Sequence, residues 1–167
     1  TRIAFDQQGK IERIQPVSRN VAHTMIEEAM LLANCTAARF LQRHKMPALY
    51  RVHSVPPKEK LTALITSLKE RGLTLNNSSS PTSADYAALM KDVADRPDAH
   101  FLQTLILRSL SQAVYTPENQ GHFGLSYKEY LHFTSPIRRY PDLLTHRAIH
   151  HIFNGGSREN GAYTPAM

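Results

Sequence analysis

The sequence predicts an α+β fold in which helices dominate and a short β element lies at the N-terminal end. Residues 21–45 contain no proline or glycine and repeat apolar side chains at helical spacing. Several later segments repeat that spacing, whereas alternating apolar residues occur only in short stretches. Because the helices outnumber the strands that could pair, we expect a fragment of a larger α+β unit.

The predicted elements cover most of the chain. In chain order they are a hairpin over Arg2–Val17, a helix over Val21–Lys45, a strand over Ala48–Val52, a helix over Pro57–Arg71, helices that open at Ser83 and Asp98, an irregular stretch over Tyr115–Leu131 and a last helix from Ser135-Pro136 to near Phe153. The domain organisation that follows is one body over residues 1–153 and a flexible tail over residues 154–167.

The hairpin is predicted by alternation and by a turn. Ile3 and Phe5 alternate with other residues, and Gly9 lies in the turn before Ile11 and Ile14. Two strands alone are marginally stable in water, so we expect the hairpin to join a larger sheet.

The first two helices have start and stop signals. Ser18 and Asn20 are possible N-caps of the first helix, which ends before Pro47. Pro57 suits the first position of the second helix, and Gly72 suits the left-handed residue that follows a helix end.

The start of the last helix combines an N-cap signal with two arginines. Ser135 is a possible cap, so Arg138 and Arg139 would lie in the first turn, although Pro141 is expected to kink or restart the helix. The helix dipole disfavours cations there by ~0.3–1 kcal/mol, yet free N–H groups and two guanidinium groups together suit a phosphate. The alternative is that both arginines pair with acidic residues elsewhere in the fold.

A second candidate site lies on the first helix. Glu27 and Asn34 are about two turns apart on one face. A carboxylate and an amide placed in this way suit hydrogen bonds to a ribose or a base edge, whereas the alternative is a solvated helix face. We expect Glu27, Asn34 and Arg138 to face a common cleft or concave surface.

Composition narrows the function classes. Twenty Lys and Arg against 14 Asp and Glu give a net charge of +6, which suits nucleic acid or an anionic surface but also occurs in basic domains without such a partner. With 41% hydrophobic residues the chain is not of the disordered class. No apolar run approaches the ~20 residues of a membrane span, so no membrane partner is expected. A lone cysteine, Cys35, favours a reducing, cytoplasmic location.

The sequence lacks the residues that several kinds of catalytic or metal-binding site require. His146 and His150 have the spacing of two zinc ligands, but no cysteine or carboxylate completes the set. The chain has no phosphate-binding glycine loop, no cluster of aspartates and no thiol outside a helix. No metal ligand is therefore predicted.

Several motifs together resemble one family. Tyr130–Leu143, which reads YLHFTSPIRRYPDL, resembles the signature of the ribonuclease II/ribonuclease R (RNB) catalytic domain, with details closest to the bacterial ribonuclease R branch. Ile26–Asn34, Pro47–His53, Asp95–Asp98 and Gly121–Leu125 fit the same family in the same order. The resemblance extends from residue 2 to residue 153.

The resemblance implies an activity and roles. Such a protein is a processive, hydrolytic 3′→5′ exoribonuclease that uses Mg²⁺, releases nucleoside 5′-monophosphates and acts on single-stranded and structured RNA. By position, Arg138 resembles the catalytic arginine at the scissile phosphate, and Glu27 resembles the glutamate that positions the terminal nucleotide. Asn34, Arg139 and Tyr140 are expected to support the substrate.

The chain also departs from the family pattern. The aspartates that bind the metal ions belong to the preceding part of that domain, so the chain resembles its C-terminal half, and no Mg²⁺ is expected to bind this chain alone. We therefore expect the isolated chain to be inactive. The alternative is a non-catalytic fragment that binds RNA or docks to a protein.

Overall fold

The computed structural model describes residues 2–15 and 20–158, and within them helices dominate, as predicted. The helices are α1 (Val21–Arg43), α2 (Lys58–Lys69), α3 (Ser83–Asp92), α4 (Ala99–Ser109) and α5 (Tyr140–Phe153). The strands are β1 (Arg2–Phe5), β2 (Ile11–Gln15), β3 (Tyr50–Val52) and β4 (Val114–Thr116). The α+β class is confirmed. The predicted cap Ser18, the hairpin end Val17 and tail residues 159–167 lie outside the described residues.

The chain divides into two compact units, Thr1–Ala33 and Asn34–Met167. In the first unit β1 pairs antiparallel with β2. The carboxylate of Asp6 accepts the backbone N–H groups of Gln8 and Lys10, both at 2.8 Å, and Gly9 adopts φ +77° in the turn. Within the described residues this sheet has two strands, so the larger sheet that we expected is not found there.

The second unit holds two hydrophobic clusters. One packs α2, α3 and α4 together. The other joins the second half of α1, β3 and α5, with Leu41, Val52, Leu131 and Ala148 almost or fully buried. This second cluster matters for function because its elements surround the segment that carries the two arginines.

Strand β4 corrects the predicted irregular stretch. Val114–Thr116 pairs antiparallel with β3, with Arg51 opposite Tyr115. A three-residue strand has too few residues to show alternation, and its partner lies more than 60 residues away, so only the tertiary structure shows the pairing.

The last helix also begins later than predicted. α5 starts at Tyr140 with Arg139 as its N-cap, and Pro141 lies in the first turn. Proline has no N–H, so a helix from Ser135 would lose the bond from residue 141 back to Ile137. In the first turn that N–H is not needed. Arg138 therefore precedes the helix rather than lying within its first turn.

Candidate functional site

The candidate site is built on Tyr130–Arg139, which we call the arginine loop. Most of it has no regular structure, so its backbone groups need partners from elsewhere. Asn34 of α1, 3% exposed, supplies one such partner and a second bond to a side chain of the loop. Its Oδ1 accepts the N–H of Phe133 at 2.8 Å, and its Nδ2 donates to the Tyr130 hydroxyl at 3.0 Å. The expectation that Asn34 would face an open cleft is wrong, because both ends of its amide hold this loop.

Helix α5 holds the loop from the other side. His146 Nε2 donates to the carbonyl oxygen of Phe133 at 2.8 Å. A carbonyl only accepts, so Nε2 carries the proton. The His146 ring also stacks on the Phe133 ring, with 4.1 Å between centroids. Both backbone groups of Phe133 are thus bonded to side chains from two helices.

Asp142 in the first turn of α5 anchors the middle of the loop. It is 0% exposed, and its Oδ2 accepts the backbone N–H of Ser135 at 2.8 Å. The same oxygen forms an ion pair with Nη2 of Arg139 at 3.2 Å, and that Nη2 lies 3.4 Å from the hydroxyl of Thr134. The Arg139 side chain is 20% exposed and turned inward.

Arg138 has the opposite environment. Its side chain is exposed and, among the described residues, makes no hydrogen bond or ion pair. Both sequence alternatives are therefore present: Arg139 pairs with a carboxylate, and Arg138 is available to an external anion. Tyr140, next along the chain, is also exposed.

The side chains of Tyr115 and Arg51 lie beside the arginine loop. The sequence did not assign either residue to this site. The Tyr115 hydroxyl lies 2.5 Å from Nδ1 of His132, and the Arg51 guanidinium lies over the Tyr115 ring at 4.8 Å. Burial lowers the pKa of His132 to about 4, and the charges of Arg139 and Arg51 add to the shift. His132 is therefore a neutral ring at neutral pH. Only the β3–β4 register would have indicated this cluster.

Two further histidines are structural. Nδ1 of His53 accepts the N–H of Gly124 at 3.0 Å, and its Nε2 donates to the carbonyl of Ser111 at 2.8 Å. Nδ1 of His122 accepts the N–H of Leu125 at 3.1 Å. Burial lowers the pKa of His122 to about 4, with a contribution from His53.

Glu27 belongs to the first unit. It is partly exposed and lines a surface hollow of about 510 Å³ on α1. The residues that line this hollow are Asn20, Ala22, His23, Ile26, Glu27 and Met30. The carboxylate of Glu27 therefore lies at a concave part of the surface.

The donor set does not fit Mg²⁺. This ion prefers carboxylate, phosphate and water oxygens, and the residues that the structure describes contain no group of three or more His, Cys, Asp or Glu that could hold a metal ion. Of the two histidines with zinc-ligand spacing, His146 is bonded to Phe133, and His150 Nδ1 lies 3.1 Å from the Asn154 amide.

Within the described ranges, none of the helices has both the length and the apolar composition of a membrane span.

Comparison with known proteins places the chain in a family. The RNB domain model matches residues 1–155. Ribonuclease R of Escherichia coli (strain K12) is 49% identical over 172 residues, which cover 99% of this chain and 21% of that protein. The chain therefore spans about a fifth of the length of this curated relative.

Solved structures agree. The RNase R of Mycoplasma genitalium, in complex with ribose-methylated single-stranded RNA, aligns with a TM-score of 0.81 at 36% identity, covering 89% of this chain and 23% of that one. The same enzyme with double-stranded RNA gives a TM-score of 0.82, covering 89% and 27%. Since the family model and the relatives match nearly the whole chain, the chain belongs to the RNB domain family.

Proposed function

We propose that the chain is part of the catalytic domain of a processive, hydrolytic 3′→5′ exoribonuclease that releases nucleoside 5′-monophosphates from RNA. Family membership supports this proposal, as does the likeness to proteins named ribonuclease R. The RNA bound in the Mycoplasma genitalium structures supports single-stranded and structured RNA as substrates. The net charge of +6 suits a polyanionic strand.

The observation that carries the proposal is the exposed guanidinium of Arg138 on a loop that is otherwise held rigidly. Asn34, His146 and Asp142 bond the backbone of Phe133 and Ser135, so the loop that carries Arg138 is held by contacts within the chain. A preorganised cation aimed at a phosphate stabilises the charge that develops in the transition state. A guanidinium can also contact two phosphate oxygens at once. Arg138 is therefore our candidate for the scissile phosphate.

The other predicted site residues take different parts in this proposal. Glu27 contacts the terminal nucleotide, and Tyr140, which is exposed, supports the strand. Asn34 and Arg139 act as positioning residues, since the Asn34 amide is bonded to the loop and Nη2 of Arg139 pairs with Asp142.

We expect the carboxylates that hold Mg²⁺ to come from residues outside this chain, because the described residues contain no group of three or more His, Cys, Asp or Glu that could hold a metal ion. When bound, the metal would supply the activated water of hydrolysis. This chain contributes the arginine, the rigid loop and a basic surface. We therefore propose that the chain alone does not hydrolyse RNA.

The test is a single-turnover degradation assay and an RNA-binding titration on the full-length protein. Arg138→Ala should lower turnover of bound RNA by ~10²–10³-fold, as is typical for one such electrostatic group, and should leave much of the affinity intact. Arg138→Lys should recover little, because a point charge does not replace a planar fork.

Arg108→Ala is the matched control, since Arg108 is also exposed but lies on α4. It should leave turnover unchanged. If Arg138→Ala instead weakens binding and spares the rate for bound RNA, Arg138 holds the strand and the catalytic assignment is wrong. That outcome would favour the non-catalytic, RNA-binding alternative.

A further inference from the structure

Arg138 and Arg139 are adjacent, yet one side chain is exposed and the other is turned inward. We propose that Asp142 sets this arrangement: it holds Arg139 inside the loop, so that Arg138 is the arginine presented to the RNA phosphate. Asp142 is thus a positioning residue that acts through Arg138. The inference rests on the proposed function for the role of Arg138, but not for the arrangement itself.

The buried charge supplies the driving force. Asp142 is 0% exposed, and a carboxylate taken fully out of water is costly unless a cation and hydrogen bonds compensate it. Arg139 is the cation, at 3.2 Å, and the N–H of Ser135 is the hydrogen-bond donor, at 2.8 Å. Release of Arg139 would leave the charge of Asp142 without its cation, so the inward position is strongly favoured.

The position of Asp142 in the fold makes the contact specific. Arg139 is the N-cap of α5, and Asp142 lies three residues later in the first turn, where the dipole favours a carboxylate. That spacing brings the side chain of residue 139 back over the first turn. Residue 138 precedes the cap, outside the helix.

The Arg139–Asp142 contact depends on charge more than on a fork of hydrogen bonds. One nitrogen of Arg139, Nη2, meets one oxygen of Asp142, Oδ2. Nε of Arg139 and Oδ1 of Asp142 are buried without a hydrogen-bond partner among the described residues, although Nε2 of His146 lies 3.4 Å from that Oδ1. The substitution Asp142→Asn would keep an oxygen acceptor for Ser135 but remove the charge that retains Arg139, so it separates the two contributions.

The first experiment measures the arrangement without using activity. The full-length protein is treated with an arginine-specific dicarbonyl reagent, and modification of each arginine is followed over time by mass spectrometry. In the wild type Arg138 should react fast and Arg139 slowly. In Asp142→Asn the reactivity of Arg139 should rise towards that of Arg138, while circular dichroism shows an unchanged helix content. Equal protection of Arg139 in both proteins would overturn the inference.

The second experiment is a double-mutant cycle on single-turnover rate. Asp142→Asn should lower the rate by ~10–10²-fold, the loss expected when a catalytic group is misplaced by about 1 Å, with RNA affinity largely retained. In the Arg138→Ala background the same substitution should have little further effect, because its target is gone. A merely structural role predicts additive losses, and additivity would overturn the inference.

Arg139→Lys keeps the inference testable if Asp142→Asn does not fold. Lysine retains a cation for Asp142, so Arg138 should keep its fast reaction with the dicarbonyl reagent, and turnover should fall less than in Arg138→Ala. A loss as large as that of Arg138→Ala would mean that Arg139 itself contacts RNA, which contradicts the inference. If Arg138→Ala leaves turnover unchanged while the reactivity pattern is as expected, the proposed function fails and the positioning role of Asp142 in the fold stands.

Discussion

Asn34 shows at the scale of one residue how the arginine loop depends on buried hydrogen bonds. Its amide joins α1 to both Tyr130 and Phe133, with a donor and an acceptor each used once. A side-chain amide offers the donor and the acceptor on separate atoms, so it can bond two groups of the loop at once. The sequence identified Asn34 as a polar residue on a helix face. It could not identify the partners of Asn34, because they lie 96 and 99 residues away in the chain.

Asn34→Ala should destabilise the isolated chain by ~1–3 kcal/mol, because it leaves the buried N–H of Phe133 without its acceptor. Urea denaturation followed by circular dichroism measures this loss. Asn76→Ala, in an exposed loop, is the control and should stay within about 0.5 kcal/mol of wild type. Equal stability of the two variants would show that the Asn34 bonds contribute nothing net.

The two arginines show what residue-level reasoning can and cannot decide. The motif identified both as anion ligands or ion-pair partners; Arg139 forms an ion pair, and Arg138 is exposed, as the proposed phosphate contact requires. The choice between them is made by Asp142, whose burial and distance to Arg139 are properties of the folded chain. A sequence contains the three residues but not the direction of their side chains.

At the scale of elements, local signals located the helices better than the strands. Gly72 follows α2 with φ +69°, as its position predicted, and Asn20 accepts the N–H of His23 at 3.1 Å as the cap of α1. Both signals act within one or two turns. The start of α5 depends on Pro141, and the local pattern placed it too early. The existence of β4 depends on a distant partner strand, so the local pattern missed it.

Helix α3 offers a prediction at this scale. Thr82 and Asp85 form a capping box, in which each side chain bonds the other residue's backbone N–H, at 3.3 Å and 2.8 Å. Thr82→Ala should therefore cost ~1 kcal/mol of unfolding free energy. Thr74→Ala, at an exposed position outside the helices, should change it far less. Indistinguishable urea midpoints for the two variants would contradict the role of the box.

At the scale of the whole molecule, two half-buried imidazoles link stability to pH. The pKa values of His122 and His132 are lowered from 6.5 to about 4, mainly because burial disfavours the charged ring. Between those values the unfolded chain binds more protons than the folded one. The unfolding free energy is therefore highest above the unfolded pKa and falls as the pH drops towards 4.

Urea denaturation of the chain from about pH 7.5 to about pH 4.5 should show this loss, since that range includes the window in which the two states differ in bound protons. A double variant, His122→Gln with His132→Gln, should have a shallower dependence on pH. His100→Gln, at an exposed position of α4, should keep the wild-type slope. A double variant with the wild-type slope would refute the assignment to these two rings.

The net charge gives a second prediction for the whole chain. The isolated chain should bind single-stranded RNA weakly, with an affinity that falls steeply as salt rises, because binding releases counterions from the phosphates. It should not degrade RNA at any Mg²⁺ concentration, whereas the full-length protein should. A fluorescence anisotropy titration measures the RNA binding, and a gel assay measures the degradation. Degradation by the purified chain would contradict the proposal that the chain alone does not hydrolyse RNA.

Helix α1 differs between its two halves. From Val21 to Ala33 no residue is buried, whereas Asn34, Cys35, Ala38 and Leu41 are. A helix segment without buried residues is held mainly by its own cooperativity, so we expect its amide hydrogens to exchange with solvent through local fraying and those beyond Asn34 to exchange more slowly. Glu27 lies in the half that we expect to exchange faster. If Glu27 contacts a nucleotide as we propose, binding has to arrest this fraying, and part of the binding energy then goes into ordering the helix.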